Sequence, residues 1–473
     1  MPTKLLRLFG TFTLGRHVRR SGIVLVPLLM LVPLLMLVHR ADAQVVPANV
    51  VPLDALLGRA DSVNPSILAA RQRLIEARAH IGPESTLPDP MLMAGIQNLP
   101  LGRDAAGSMG DTRPGDPMTM KMLGVSQTIP YPGKLGLRRA AAENEAQAAA
   151  AELDAARLDV ERTVKSQYFE LYYFDKAIEI VDQNRSVLGD VIQVTEAHYA
   201  AGTGGQQDVL KARVDAARLG ETASELFERR RAAVAELNAA LDRGSDTPVA
   251  RATIPERIAD AAIARDPSQV RFTSQNLGAR VAGSPIPALA ELQELAVKQS
   301  PVLRQTEAKL QAQTARVALA RKGSLPDVDF SIQYGQRNYR PDMISAQVSI
   351  PIPVHRGSRQ SQEIVEASAE LSAMEADKRG QINSIRAQVA RIVTDLERER
   401  TELALYAKAI LPQGSAAATA SLASYQAGKT ELLSVLDNQN TLFTYQTAYF
   451  RALADFAKSL AELEQVVGGE VLR

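Results

Sequence analysis

The chain has no cysteine. It therefore carries no disulfide, no lipid-modified N-terminal cysteine, no thiolate metal site and no cysteine nucleophile. It also lacks an excess of either charge. Lys and Arg number 54 and Asp and Glu 53, a formal +1, so the basic footprint of a nucleic-acid binder is missing. Beyond residue 43 no apolar run reaches the 18 or more residues of a membrane helix, so if the mature chain spans a membrane it must do so as a barrel. Histidine is scarce at five. His17 and His39 lie near the N-terminus, and His80, His198 and His355 are far apart with no His-x-x-x-His or His-Glu pairing, so they read as surface or cap residues. No catalytic constellation emerges, and neither enzymatic activity nor a cofactor is expected. The carboxylates on the helices alternate with Lys and Arg as on a solvated surface.

What is present begins with an address. Arg16, Arg19 and Arg20 precede an apolar run from Gly22 to Val38, followed by Ala41-Asp42-Ala43, the small-x-small pattern of a cleavage site. Residues 1–43 read as a secretory signal peptide; an uncleaved anchor is the alternative.

The stretch from Lys134 to about Tyr199 has no proline, and as one helix it is about 100 Å long. Leu153, Val160, Val164, Tyr168, Leu171, Phe174, Ile178, Val181 and Leu188 are among apolar positions recurring about every 3.5 residues, the coiled-coil period. A globular domain has no use for such a rod.

The rest of the chain repeats one plan twice. Residues 44–243 hold a helix interrupted at Asn64-Pro65 and ending before Gly82-Pro83, a hairpin over 88–131, the long helix 134–199 and a return helix 206–241. An irregular segment, 244–287, connects to residues 288–467. These hold a helix interrupted at Ser300-Pro301, a hairpin over 326–353, a heptad-patterned helix 358–411 and a return helix 429–466, leaving 468–473 as a tail. Leu87-Pro88-Asp89 is answered by Leu325-Pro326-Asp327, and Tyr199-Ala-Ala-Gly202 by Tyr425-Gln-Ala-Gly428.

In the third strand Val328, Phe330, Ile332 and Tyr334 alternate with Asp329, Ser331, Gln333 and Gly335; Ile344, Ala346 and Val348 alternate likewise in the fourth. This suits the 9 to 11 residues that cross an outer membrane, although a soluble sandwich alternates similarly. Four strands cannot close a barrel, which needs about eight, and an open edge in lipid leaves costly unpaired backbone groups. Oligomerisation must complete it. The expected class is mainly α, a long coiled-coil tunnel with a small transmembrane β-barrel.

The duplicated order, the Asn-Pro interruption, the Leu-Pro-Asp-Pro and Ile-Pro signals and the paired Tyr-x-x-Gly turns resemble the TolC-like outer-membrane efflux proteins over nearly the whole mature chain. The resemblance implies a homotrimer with a twelve-stranded barrel in outer-membrane lipid and a helical periplasmic tunnel. It also implies a periplasmic adaptor (a membrane fusion protein) and an inner-membrane pump of the resistance-nodulation-division type as partners. It implies that the turns Tyr199 to Gly202 and Tyr425 to Gly428 mark the far periplasmic end, where the adaptor docks. The residues after the second turn would line the closed entrance, giving Asp437, with Ser434 at the earlier carboxylate position and Asp208 in the first repeat.

Methionine gathers in the hairpins. If Leu92, Ala94, Ile96, Leu123 and Val125 face lipid, alternation puts Met91, Met93, Met118, Met120, Met122 and Met343 on the lumenal side. Thioether sulfur is a soft ligand, so these are candidate metal contacts for a heavy-metal exporter. Drug or solvent efflux and type I protein secretion are the alternative cargoes; a secreted enzyme or a coiled-coil spacer are alternatives of other classes.

Overall fold

The computed structural model describes residues 52–98, 119–263, 286–337 and 340–472. Residues 1–43 and most of the hairpin loop lie outside them. The chain enters through α1 (Leu53–Val63) and α2 (Pro65–Ser85), separated at Asn64. Pro65 suits the first turn of a helix, where its missing N–H has no partner to lose. The Asn64 carboxamide accepts from the Ser66 N–H at 2.9 Å and donates to the Ala240 carbonyl at 2.8 Å, tying the break to the end of the return helix. The second repeat breaks identically between α6 (Leu289–Gln299) and α7 (Pro301–Arg321), although Ser300 makes no side-chain cap.

Helix α2 runs through Gly82-Pro83 to Ser85 rather than stopping before them. Pro83 lies in the last turn, so only one exposed carbonyl loses its bond and the helix need not end there.

The first rod, α3 (Lys134–Ala200), is 67 residues long and packs against α2, α7, α10 (Leu432–Val467) and the return helix α4 (Gln206–Ala240). Its seam residues Val164, Tyr168, Leu171 and Val181 are buried in the main core with Phe169 and Phe456. Each such large side chain contributes about 1.5–3 kcal/mol on leaving water. The Tyr168 hydroxyl accepts from the Thr253 N–H at 3.0 Å, and Asp175 accepts from the Ala252 N–H at 3.3 Å and from Arg230 Nε at 2.7 Å. These contacts hold the segment before α5 (Glu256–Ile263) against the middle of the rod.

The second rod does not stop at Leu411. Helix α8 (Gln360–Leu405, 46 residues) passes through a π-helical turn, Tyr406–Ile410 (5 residues), into α9 (Leu411–Gln426, 16 residues), together as long as α3. In a regular helix Pro412 would clash with the carbonyl four residues back. The widened π turn immediately before it relieves that clash, and the rod continues.

Both rods carry polar residues in their seams, against the expectation of solvated carboxylates only. In α8 the positions Val389, Ile392, Leu396, Glu399 and Leu403 follow alternating steps of three and four, and Glu399 is only 3% exposed. In α3 the buried Asn184 donates to the Ile180 carbonyl and accepts from Gln439 Nε2 at 2.6 Å.

β1 (Met91–Gln97), β2 (Met120–Ile129), β3 (Val328–Arg337) and β4 (Met343–Ser349) form one antiparallel sheet in that order. The two hairpins are joined by a β2–β3 pairing that runs from Met120↔Arg337 to Ile129↔Val328. The edge strands have 7 residues each, shorter than the 10 of the central pair. Prolines at 88 and 90 precede β1, and prolines at 351 and 353 follow β4. Proline cannot donate to a ladder, which confines it to strand ends and edges. Asp327 fixes the sheet to the first rod: it accepts from the Tyr131 N–H and from Lys134 Nζ, each at 2.8 Å.

Candidate functional site

The register divides the sheet into two unlike faces. Residues paired across antiparallel strands share a face. Leu92, Val125, Ile332 and Ala346 therefore form one row, and Ala94, Leu123, Tyr334 and Ile344 the next. These side chains face outward: Leu92 is 73%, Ile332 64% and Ile344 78% exposed. An apolar face of this kind is stable only when something apolar covers it. No helix among the described residues is long and apolar enough to cross a membrane.

The opposite face carries Met91, Ser126, Ser331 and Gln347 in one row and Met93, Gly124, Gln333 and Ser345 in another. Next come Gly95, Met122, Gly335 and Met343, and then Gln97, Met120 and Arg337. Five of the six candidate methionines thus share the polar face. Met118 lies outside the described residues. Two of the three glycines on this face are covered by neighbours: an added Cβ at Gly124 would meet Gln333 Cγ at 2.7 Å, and one at Gly335 would meet Met120 Sδ at 2.9 Å, whereas Gly95 has nothing within 4 Å.

At the other end, both rods terminate in the same way. Gly202 (φ 71°) and Gly428 (φ 69°) take the left-handed conformation that glycine adopts without penalty. The Gly202 N–H donates to the Tyr199 carbonyl at 3.0 Å and the Gly428 N–H to the Tyr425 carbonyl at 2.9 Å. The two tyrosine rings differ. Tyr425 is buried among Leu188, Val191, Leu432 and Leu436, its hydroxyl donates to Thr195 Oγ1 at 3.1 Å, and its ring lies 5.3 Å from that of His198. Tyr199 is half exposed. The His198–Tyr425 contact brings the ends of the two rods together.

Just beyond, Val435 and Leu436 are buried while Leu433, Ser434 and Asp437 are exposed on the other side of α10. Asp208 is half-buried in the first turn of α4, where its charge complements the helix N-terminus. Among the histidines, His80 does face a carboxylate, Glu84, one turn on at 3.7 Å, on an exposed surface. Among the described residues no group of three or more His, Asp or Glu could hold a metal ion.

A four-stranded sheet with one apolar and one polar face, carried on paired rods of equal length, fits a membrane-inserted end with a long helical extension. The chain belongs to the outer membrane efflux protein family, whose model matches residues 56–243 and 292–469. It is 21% identical over 425 residues to the cobalt-zinc-cadmium resistance protein CzcC of Cupriavidus metallidurans, covering 89% of this chain and 91% of that one. Its fold is similar to that of the outer membrane protein VceC from Vibrio cholerae (TM-score 0.70, 19% identity, 89% of this chain and 96% of that chain). The channel CusC is similar in the same way (TM-score 0.70, 15% identity, 88% and 92%). The protein is thus an outer-membrane efflux channel with a periplasmic helical extension, a transport duct rather than an enzyme.

Proposed function

We propose that three copies of this chain close a twelve-stranded barrel and a common helical tunnel, forming the exit duct of a tripartite pump for heavy-metal ions. The observation that carries it is the sheet with two unpaired edges, β1 and β4, and one outward apolar face. An open edge in lipid costs several kcal/mol per unsatisfied backbone group, and pairing β4 of one copy with β1 of the next removes every edge. The polar face then lines the lumen. The Tyr199–Gly202 and Tyr425–Gly428 turns form the periplasmic tip where an adaptor docks, linking the duct to an inner-membrane pump of the resistance-nodulation-division type. A heavy-metal cargo is supported by the near full-length relationship to CzcC and by the methionines of the polar face. Deletion of the gene is expected to lower survival severalfold on copper, silver, zinc or cobalt salts, with little change on lipophilic drugs. Sensitivity confined to the drugs would replace metal by organic cargo.

At the entrance, three Asp437 side chains would ring the pore and favour cations. In a planar bilayer, Asp437→Ala is expected to reduce the cation-to-anion permeability ratio about threefold, equivalent to about 0.7 kcal/mol. Unchanged selectivity would remove Asp437 from the pore lining.

A further inference from the structure

We propose that Met120, Met122 and Met343 form a thioether site for a soft monovalent cation, Cu(I) or Ag(I), over the bare backbone of Gly335. The site rests on the reading of the polar sheet face as the lumen. In the row Gly95–Met122–Gly335–Met343 the two glycines leave methionine as the only side chain of any size. Met122 and Met343 flank Gly335 from the two neighbouring strands, with their Cα atoms about 10 Å apart at ordinary strand spacing. Methionine stems are long and freely rotating, so sulfurs from both sides reach the space over the glycine. Met120 already does so from one pair further along: its Sδ lies 2.9 Å from where a Gly335 Cβ would stand. Met343 reaches the same spot through its backbone oxygen, 3.8 Å from that Cβ position, and rotation of the Met122 and Met343 side chains would add their sulfurs to that of Met120 without any contact across a wide pore.

The chemistry selects the ion. Thioethers bind Cu(I) and similar soft ions and hold Zn(II), Co(II) or other borderline ions poorly without imidazole or carboxylate help. The face carries neither group in these rows. Among the described residues of these rows the cation is Arg337, paired with Met120; it directs Nε and Nη2 at the Pro341 carbonyl, at 3.0 and 2.8 Å, and the carboxylate next to Met343, Asp342, accepts from the Arg337 N–H and from the Tyr334 hydroxyl. The site would give a departing soft ion a last foothold in the barrel and narrow the preferred cargo to monovalent ions.

The test is titration of the purified detergent-solubilised protein with Ag(I) nitrate in chloride-free buffer, followed by calorimetry and X-ray absorption. Saturable binding with an all-sulfur shell is expected, while Zn(II) and Co(II) give none. Met120→Leu, Met122→Leu and Met343→Leu should each weaken Ag(I) roughly tenfold or more. Gly335→Ala should weaken it too, because its Cβ displaces the Met120 sulfur although all three ligands remain. Met91→Leu and Met93→Leu should leave it unchanged. A nitrogen or oxygen shell, or a triple leucine variant that binds as the wild type does, would overturn the site. Absence of Ag(I) binding to a protein whose deletion still costs metal tolerance would overturn the site and leave the efflux reading standing. Ag(I) binding that depends on the three methionines supports the site even if the deletion strain proves sensitive only to drugs, in which case the metal cargo alone falls.

Discussion

Ile332→Arg is expected to abolish assembly of the channel in the outer membrane. Ile332 sits at the middle of β3, paired with Val125 on one side and Ala346 on the other, and is 64% exposed on the apolar face. An arginine at the midplane of a barrel's lipid face costs about 2–4 kcal/mol, and a three-fold assembly meets that cost three times. Ser345→Arg, on the opposite face of the same sheet, should assemble normally and alter only conductance, because its side chain stays in water. The measurement is the amount of heat-modifiable oligomer in outer-membrane fractions. If the two variants assemble equally, the apolar face is not against lipid and the barrel closure proposed above fails.

The rods and strands were legible because each rests on a period. A seam at about 3.5 residues marks α3 whatever its surroundings, and strict alternation of Val328, Phe330, Ile332 and Tyr334 marks β3. What escaped the sequence depended on pairings between distant segments or on one-residue adjustments of the ladder. Nothing local announces that β2 pairs with β3, because the register from Met120↔Arg337 to Ile129↔Val328 joins residues some two hundred positions apart. The continuation of the second rod through Pro412 depends on the π turn at Tyr406–Ile410, whose residues look ordinary. Of the candidate site, alternation placed the methionines on one side, but only the register brings Met122 and Met343 to either side of Gly335. The two Tyr-x-x-Gly turns read as equivalent. They share a backbone but not a ring environment, because only Tyr425 has Thr195 and His198 of the other rod within reach.

Glu399 is the residue whose role a sequence reading inverts, and it gives the channel a pH-dependent stability. Its heptad register puts it in the seam between α8 and α10, where burial pushes its carboxyl up from the ordinary 4.5 to about 7. A hydrogen bond from Ser459 Oγ at 3.2 Å and the charge of Arg398 oppose that rise, while Asp455 and Asp395 add to it. One oxygen, Oε2, is buried without a hydrogen-bond partner. The raised value means that the folded protein holds a proton the unfolded chain has released. Below pH 4.5 both states are protonated and Glu399 makes no difference. Between 4.5 and about 7 stability falls as pH rises, and above about 7 the full cost of a buried charge remains, of order 3 kcal/mol per chain. Glu399→Gln keeps the shape and can still bond Ser459 but cannot ionise. It is expected to raise the apparent melting temperature at pH 8 by roughly 2–5 °C. The gain should shrink toward zero as the pH is lowered to 4.5, because the wild type recovers its proton over that range. Thermal melts of wild type and variant across this window, followed by circular dichroism in detergent, decide the matter. Parallel pH profiles would mean that Glu399 is ionised and solvated in the assembled channel and that the seam is hydrated at this level.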